Sequence, residues 1–243
     1  VVTRRREQFA QLISSEIGAP IDFARTQQVG TAVRHLQDAI KAARPMSIDH
    51  PIAPELPGDR IRYEPIGIAA LITPWNWPLN QIVLKVASAL AAGCTLVIKP
   101  SEMSSQTALL FGVCIDEAGS PDGVVNVVFG DGPGTGGYLC DHPDIGVVSF
   151  TGSTAAGRSV SRTAAGGIKR VLVELGGKSP NLVFADCDLA TAVRQGVAHC
   201  FRNAGQSCNA ASRMLVQREV YERAIALAVD DAVATGAGLP STQ

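Results

Sequence analysis

Apolar residues recur at three- and four-residue intervals through the start of the chain. Phe9, Leu12, Ile13 and Ile17 share one helical face, stopped by Gly18 and Pro20. Val29, Val33, Leu36 and Ile40 repeat the pattern, so residues 1–43 are expected to form two helices. Pro45 to Gly58 is Pro-rich and irregular, and Ile61-Arg62-Tyr63-Glu64 then alternates, which reads as an extended hairpin excursion over 45–65. From Ile66 the period changes. Short apolar strands are expected at 67–72, 95–98, 124–128, 147–150 and 170–174, with helices between them at 80–91, 105–117, 135–140 and 154–165.

Strands without polar alternation are expected to be buried on both faces, and helical crossovers make neighbouring strands parallel. The fold class that follows is α/β: a doubly wound, Rossmann-like parallel sheet built from residues 1–44 and 66–176. Gly176-Gly177 marks a boundary, after which residues 177–243 give a strand at 181–184, a helix at 189–201 capped by Asp186 or Asp188, a loop from Asn203 to Cys208, a strand at 214–216 and a helix at 221–234. These are too few elements for a core of their own. They are expected to be the incomplete start of a second α/β domain, with an open strand edge and partly uncovered helices.

Hydrophobic residues make up 46% of the chain and charged residues 18%, as in a globular protein. A formal net charge of −1 supplies no basic field for nucleic acid or an anionic membrane. The most apolar stretch, 82–98, is interrupted by Lys85 and turns at Gly93, so no bilayer span is expected. The opening Arg4-Arg5-Arg6-Glu7 does not read as a secretory signal. Six cysteines without CxxC spacing then favour reduced thiols and a cytoplasmic setting.

Ligands of a doubly wound sheet bind beyond the carboxyl ends of its strands. Five loops leave those ends: Thr73 to Pro78, Lys99 to Glu102, Gly130 to Gly134, Thr151 to Ser153 and Leu175 to Gly177. Their glycines let backbone N–H groups approach a pyrophosphate, and the following helices present their positive ends. Tight turns alone would also use glycine, and the spacing at 130–136 is not the usual dinucleotide fingerprint. Cys208 lies in a small polar loop, whereas Cys94, Cys114, Cys140 and Cys200 sit among apolar residues as inert filler. Glu174 ends an apolar strand, where a buried carboxylate is costly without a task or partner. Asn76, between two tryptophans and two prolines, is a rigidly held amide whose plainest role is turn capping.

The blocks Pro74-Trp75-Asn76-Trp77-Pro78, Lys99-Pro100-Ser101-Glu102, Phe150-Thr151-Gly152-Ser153, Glu174-Leu175-Gly176-Gly177-Lys178 and Gly205-Gln206-Ser207-Cys208, in this order, resemble the aldehyde dehydrogenase superfamily over essentially the whole chain. The resemblance implies NAD(P)-dependent oxidation of an aldehyde, a small-molecule partner, to a carboxylic acid, with Cys208 as nucleophile, Asn76 in the oxyanion hole and Glu174 activating water. It places Lys85 just behind the aldehyde tunnel, among the catalytic residues. It assigns the cofactor (NAD, with NADP possible) to Trp75, Lys99, Glu102, Gly132, Gly136, Phe150, Gly152, Ser153 and Leu175, and the tunnel wall to Trp77, Gln81 and Leu84. Residues 177–243 become the first part of a catalytic domain, and 45–65 an oligomerisation element of a homo-oligomer. A coenzyme A-acylating relative and a truncated, inactive nucleotide-binding fragment stay open as alternatives; Glu174 argues against the first, and intact motifs against the second.

Overall fold

Helix α1 (Arg6–Ile17) ends at Gly18, whose left-handed φ of 70° terminates it. After Pro20 a single turn, α2 (Ile21–Phe23), widens through an i→i+5 segment (Ala24–Gln28) and continues as α3 (Val29–Ala43). The computed structural model describes residues 1–236 and 238–242; Gln243, the last residue of the expected second unit, lies outside them. An antiparallel pair, β1 (Asp49–Pro51) with β2 (Arg60–Arg62), forms the hairpin excursion.

The main sheet is parallel and five-stranded: β3 (Ile68–Ile72), β4 (Thr95–Lys99), β5 (Val125–Val127), β6 (Ile145–Gly152) and β7 (Arg170–Leu175), in the order β5-β4-β3-β6-β7. Between them run α4 (Pro78–Ala91), α5 (Ser105–Glu117), α6 (Gly137–Asp141) and α7 (Thr154–Ala165). Strand alternation divides the burial. Ala69 and Leu71 of β3, with Leu96 and Ile98 of β4, pack under α1, α3, α4 and α5 beside Phe9, Ile13 and Phe111. Ala70 and Ile72, with Val148 and Phe150 of β6, pack on the other side against Leu139, Cys140 and Ala164. Each fully buried Phe, Leu or Ile contributes about 1.5–3 kcal/mol, so the two-sided filling of β3 anchors the sheet.

Three expectations change. Strand β7 is not buried on both faces: it is a sheet edge, with Leu172 60% and Val173 44% exposed, and Glu174 is exposed too. An apolar run looks alike at a sheet's edge and at its centre, because burial comes from the neighbour the run receives. The helix expected at 135–140 begins as an i→i+5 segment (Gly132–Gly136) and becomes α-helical at Gly137. The second unit also holds a small core of its own. There β8 (Pro180–Val183) pairs in parallel with β9 (Arg213–Val216), and α8 (Leu189–Phe201) and α9 (Tyr221–Thr235) cover one face through Val183, Val193, Val197 and Ala224. Asp188, not Asp186, caps α8. Among the described residues no helix is long and apolar enough to cross a membrane.

Candidate active site

All five strand-end loops line a single cleft of about 740 Å³. Trp75, Asn76, Lys99, Glu102, Gly132, Phe150, Gly152, Ser153, Leu175 and Cys208 all reach it. Gly136 lies just beneath: a Cβ there would stand 3.8 Å from Ile72 and 4.0 Å from the Lys99 stem. Glu174, Lys85, Trp77, Gln81 and Leu84 are not among the lining residues.

Two helix starts face this cleft, and they differ. At Gly132 the side chain of Asp131 already accepts from the N–H groups of Gly134 (2.7 Å) and Thr135 (3.3 Å), so that turn's amides are engaged by a carboxylate of the chain itself. At α7, Ser153 Oγ accepts from Ala156 N–H (3.2 Å), and the Thr154 and Ala155 amides precede it at the helix's positive end, an environment that favours an anion. Gly152 is required here by close approach, since a Cβ would lie 2.5 Å from the ring of Phe150. The hydroxyls of Thr73 and Thr151, on the cleft wall, are buried without a partner among the described residues. Lys99 is buried; its Nζ donates to Pro100 O (3.0 Å) and stands 3.4 Å from Glu102 Oε2. The Glu102 carboxyl is held below the usual carboxylate range by its own backbone N–H first, then by the Lys99 ammonium and the Gly132 N–H.

At the other end of the cleft Cys208 is half-buried. The Gly176-Gly177 loop leans on it: a Cβ at Gly177 would sit 3.6 Å from Cys208 O. Asn76 Nδ2 donates to Gln206 O (2.7 Å), two residues before Cys208, and keeps a second N–H. Trp77 Nε1 donates to Ser207 Oγ (3.1 Å). Gln81 and Leu84 follow on the first turns of α4, half-buried and 38% exposed respectively. Next along α4, Lys85 Nζ donates to Ser149 Oγ of β6 (2.8 Å). Burial lowers its pKa to about 8, against the opposing pull of the Glu174 charge. Glu174 pairs in register with Thr151 on the exposed edge, so it is close enough to Lys85 to be felt while its side chain stays outside the cleft lining. The buried thiols of Cys114 and Cys140 are pushed up by desolvation, as expected of unreactive cysteines.

Sequence reasoning missed several residues around this loop. Gln28 and Asn203 are buried polar side chains that bond to each other and to the Asn76 carbonyl. Phe23 stacks edge-on to Trp77 with centroids 5.6 Å apart, and the Arg202 guanidinium lies 5.8 Å over the Phe23 ring. Only the left-handed tolerance of an Asn at 203 was a local signal; the other contacts join distant segments.

A profile of the aldehyde dehydrogenase family matches residues 1–243. The chain belongs to the aldehyde dehydrogenase family. It is 50% identical over 211 residues to 3-succinoylsemialdehyde-pyridine dehydrogenase of a Pseudomonas species, covering 86% of this chain and 43% of that one. Aldehyde dehydrogenase C of Pseudomonas syringae, solved as a cysteine-to-alanine mutant with NAD+ and octanal, superposes with a TM-score of 0.94. Its sequence is 48% identical, over 98% of this chain and 48% of that one. The aldehyde dehydrogenase of Bartonella henselae gives 0.93 at 46% identity over 99% of this chain and 50% of that one. The chain therefore spans about half the length of the relatives it matches.

Proposed function

We propose that this chain carries the nucleophile and the dinucleotide cradle of an NAD-dependent aldehyde dehydrogenase that releases a carboxylic acid. One observation carries the reading: a single cleft joins Cys208 and Asn76 to the N-terminal end of α7, the Lys99–Glu102 pair and the buried hydroxyls of Thr73 and Thr151, which have no partner among the described residues.

These residues fit a dinucleotide. The Thr154 and Ala155 amides would take the pyrophosphate, Glu102 and Lys99 the adenosine ribose, and Trp75, Phe150 and Leu175 the apolar faces. When bound, the oxidised nicotinamide supplies a hydride acceptor. The chain's own residues do the rest. The Cys208 thiolate attacks the carbonyl carbon, and the carbonyl π pair moves to oxygen. That oxyanion is met by the second N–H of Asn76 and the N–H of Cys208. Once the carbon has lost hydride, a thioester stands on Cys208. Water attacks it, Glu174 takes the water's proton, and the thiolate leaves as the acid departs. In this reading the Glu174 side chain turns inward from the edge of β7. Lys85 stabilises the ionised carboxylate from α4.

The aldehyde enters beside Trp77, Gln81 and Leu84. The hairpin at 45–65 serves self-association, because β1 and β2 project short paired strands with Ile48, Ile52, Leu56 and Tyr63 exposed. Residues 177–243 act as the first part of the catalytic domain. Six unpaired cysteines suit a reducing compartment such as the cytoplasm.

The deciding assay is aldehyde-dependent NADH formation, with the acid product identified. Cofactor reduction that needs coenzyme A and yields a thioester would move the protein to the acylating branch, and binding of NAD without turnover would leave only the cradle.

A further inference from the structure

Gln28 is completely buried, yet nothing in the chemistry above uses it. It closes the i→i+5 segment that joins α2 to α3, where the widened turn aims its side chain at the carboxyl end of β3. Its Nε2 donates to Asn76 O (3.0 Å) and to Asn203 Oδ1 (2.8 Å). Both contacts are acceptors, so the nitrogen must face them, and Gln28 Oε1 is left buried with no partner among the described residues. An apolar side chain of the same shape would fill the space without that orphan. What glutamine adds is the pair of bonds.

Those bonds lead to both sides of the cysteine loop. Asn203 Nδ2 donates to the same Asn76 carbonyl (2.8 Å), and Asn203 holds a left-handed φ of 56° that turns the chain towards Cys208. The Asn203 carbonyl accepts from the Gln206 backbone N–H (3.1 Å) and from Gln206 Nε2 (3.0 Å). Gln206 Nε2 also reaches Ile17 O at the end of α1 (3.1 Å), and Gln206 O receives the Asn76 amide (2.7 Å). The peptide of Asn76 is thus gripped by Gln28 and Asn203 while its side chain grips the loop that ends in Cys208.

We propose that Gln28 is a positioning residue of the Cys208 site: its amide fixes the Asn76 peptide against Asn203, and so sets the spacing between the Asn76 amide and Cys208. The catalytic half of this inference rests on the oxyanion role given to Asn76 above. The geometric half does not.

The test uses Gln28→Met, which keeps the bulk and removes both bonds. Hydrogen exchange of the chain should quicken about tenfold or more in residues 74–78 and 203–208, with strands β3 and β6 within about twofold of wild type. In the full protein kcat should fall about tenfold or more while KM for NAD stays within about twofold. In an Asn76→Ala background the same substitution should change kcat by less than about twofold, because the two residues act through one contact. Unchanged exchange at 203–208, equal acceleration throughout the chain, or losses that simply multiply would each overturn the proposal. Should Gln28→Met not fold, Asn203→Gly removes the partner side chain and keeps the left-handed backbone accessible. The same loop-confined exchange is expected, and its absence overturns the proposal equally. A wild-type protein that oxidises no aldehyde would defeat the functional reading alone, and the exchange measurements would still judge the clamp.

Discussion

At the scale of single residues, Cys208, Glu174 and Lys85 make separable demands. In the proposed reaction Cys208 would meet the substrate carbon, while α7 and the Lys99–Glu102 pair, elsewhere in the same cleft, would hold the dinucleotide. Cys208→Ala should therefore lower oxidation by ~10³-fold or more with NAD affinity nearly unchanged. Titration calorimetry beside a rate assay checks both; a mutant rate close to wild type would remove Cys208 from the mechanism. In the proposed reaction Glu174 acts only after hydride has left, so Glu174→Gln should give a rapid burst of NADH near one per site and then a slow steady state. A variant slow from its first turnover would place Glu174 before hydride transfer. Lys85 makes a stability prediction. Its folded pKa is lowered to about 8 by burial, from an ordinary 10.5. Between those values the unfolded chain binds more protons than the folded one, so the stability of wild type relative to Lys85→Met should rise with pH across that window and be flat below about 7. Urea melts at a series of pH values measure this, and a difference that falls over the same window would contradict the assigned desolvation.

At the scale of elements, most of what makes the cleft was legible in the sequence. Periodicity located the strands and helices, and a parallel sheet sends its strand-end loops to one edge, which is why five separate motifs meet. The edge position of β7 was not legible, because Val171, Leu172 and Val173 read the same whether or not a further strand or helix covers them. Nor was the contact of Gln28 with Asn203, where 175 residues separate two polar side chains with no motif between them. Spacing shows what repeats locally, whereas burial and pairing are set by distant neighbours. The cleft's own elements yield two predictions. Glu102 lies where its lowered pKa keeps it ionised at neutral pH, so a 2′-phosphate should be repelled and kcat/KM should favour NAD over NADP by about tenfold or more. A ratio favouring NADP would overturn the ribose assignment. Gly152→Ala would push a methyl into the Phe150 ring, and the overpacking should destabilise by about 1–3 kcal/mol and loosen NAD binding; an unchanged melting temperature would mean the ring moves aside freely.

At the scale of the whole molecule, the main sheet and the small sheet are finished to different degrees. Strand β3 is covered on both faces, and its residues are almost all buried. The β8–β9 pair is covered on one face only. Val183, Met214 and Val216 point into the core under α8 and α9, whereas Leu182 is 57% exposed, Leu215 51% and the adjoining Phe184 58%. Two parallel strands whose outer edges are unpaired among the described residues, with an apolar face in water, form a surface on which other chains can add. This chain should therefore self-associate as its concentration rises. Leu182 and Leu215 are register partners, so replacing them with Lys and Glu places an opposite-charge pair on the open face and leaves the net charge at −1. Light scattering of the Leu182→Lys, Leu215→Glu chain should show a clear fall in self-association, with the melting temperature within a few degrees of wild type because neither side chain contributes to the core beneath. Scattering that stays at the wild-type level would move the sticky surface elsewhere, to the exposed apolar residues of the 45–65 hairpin.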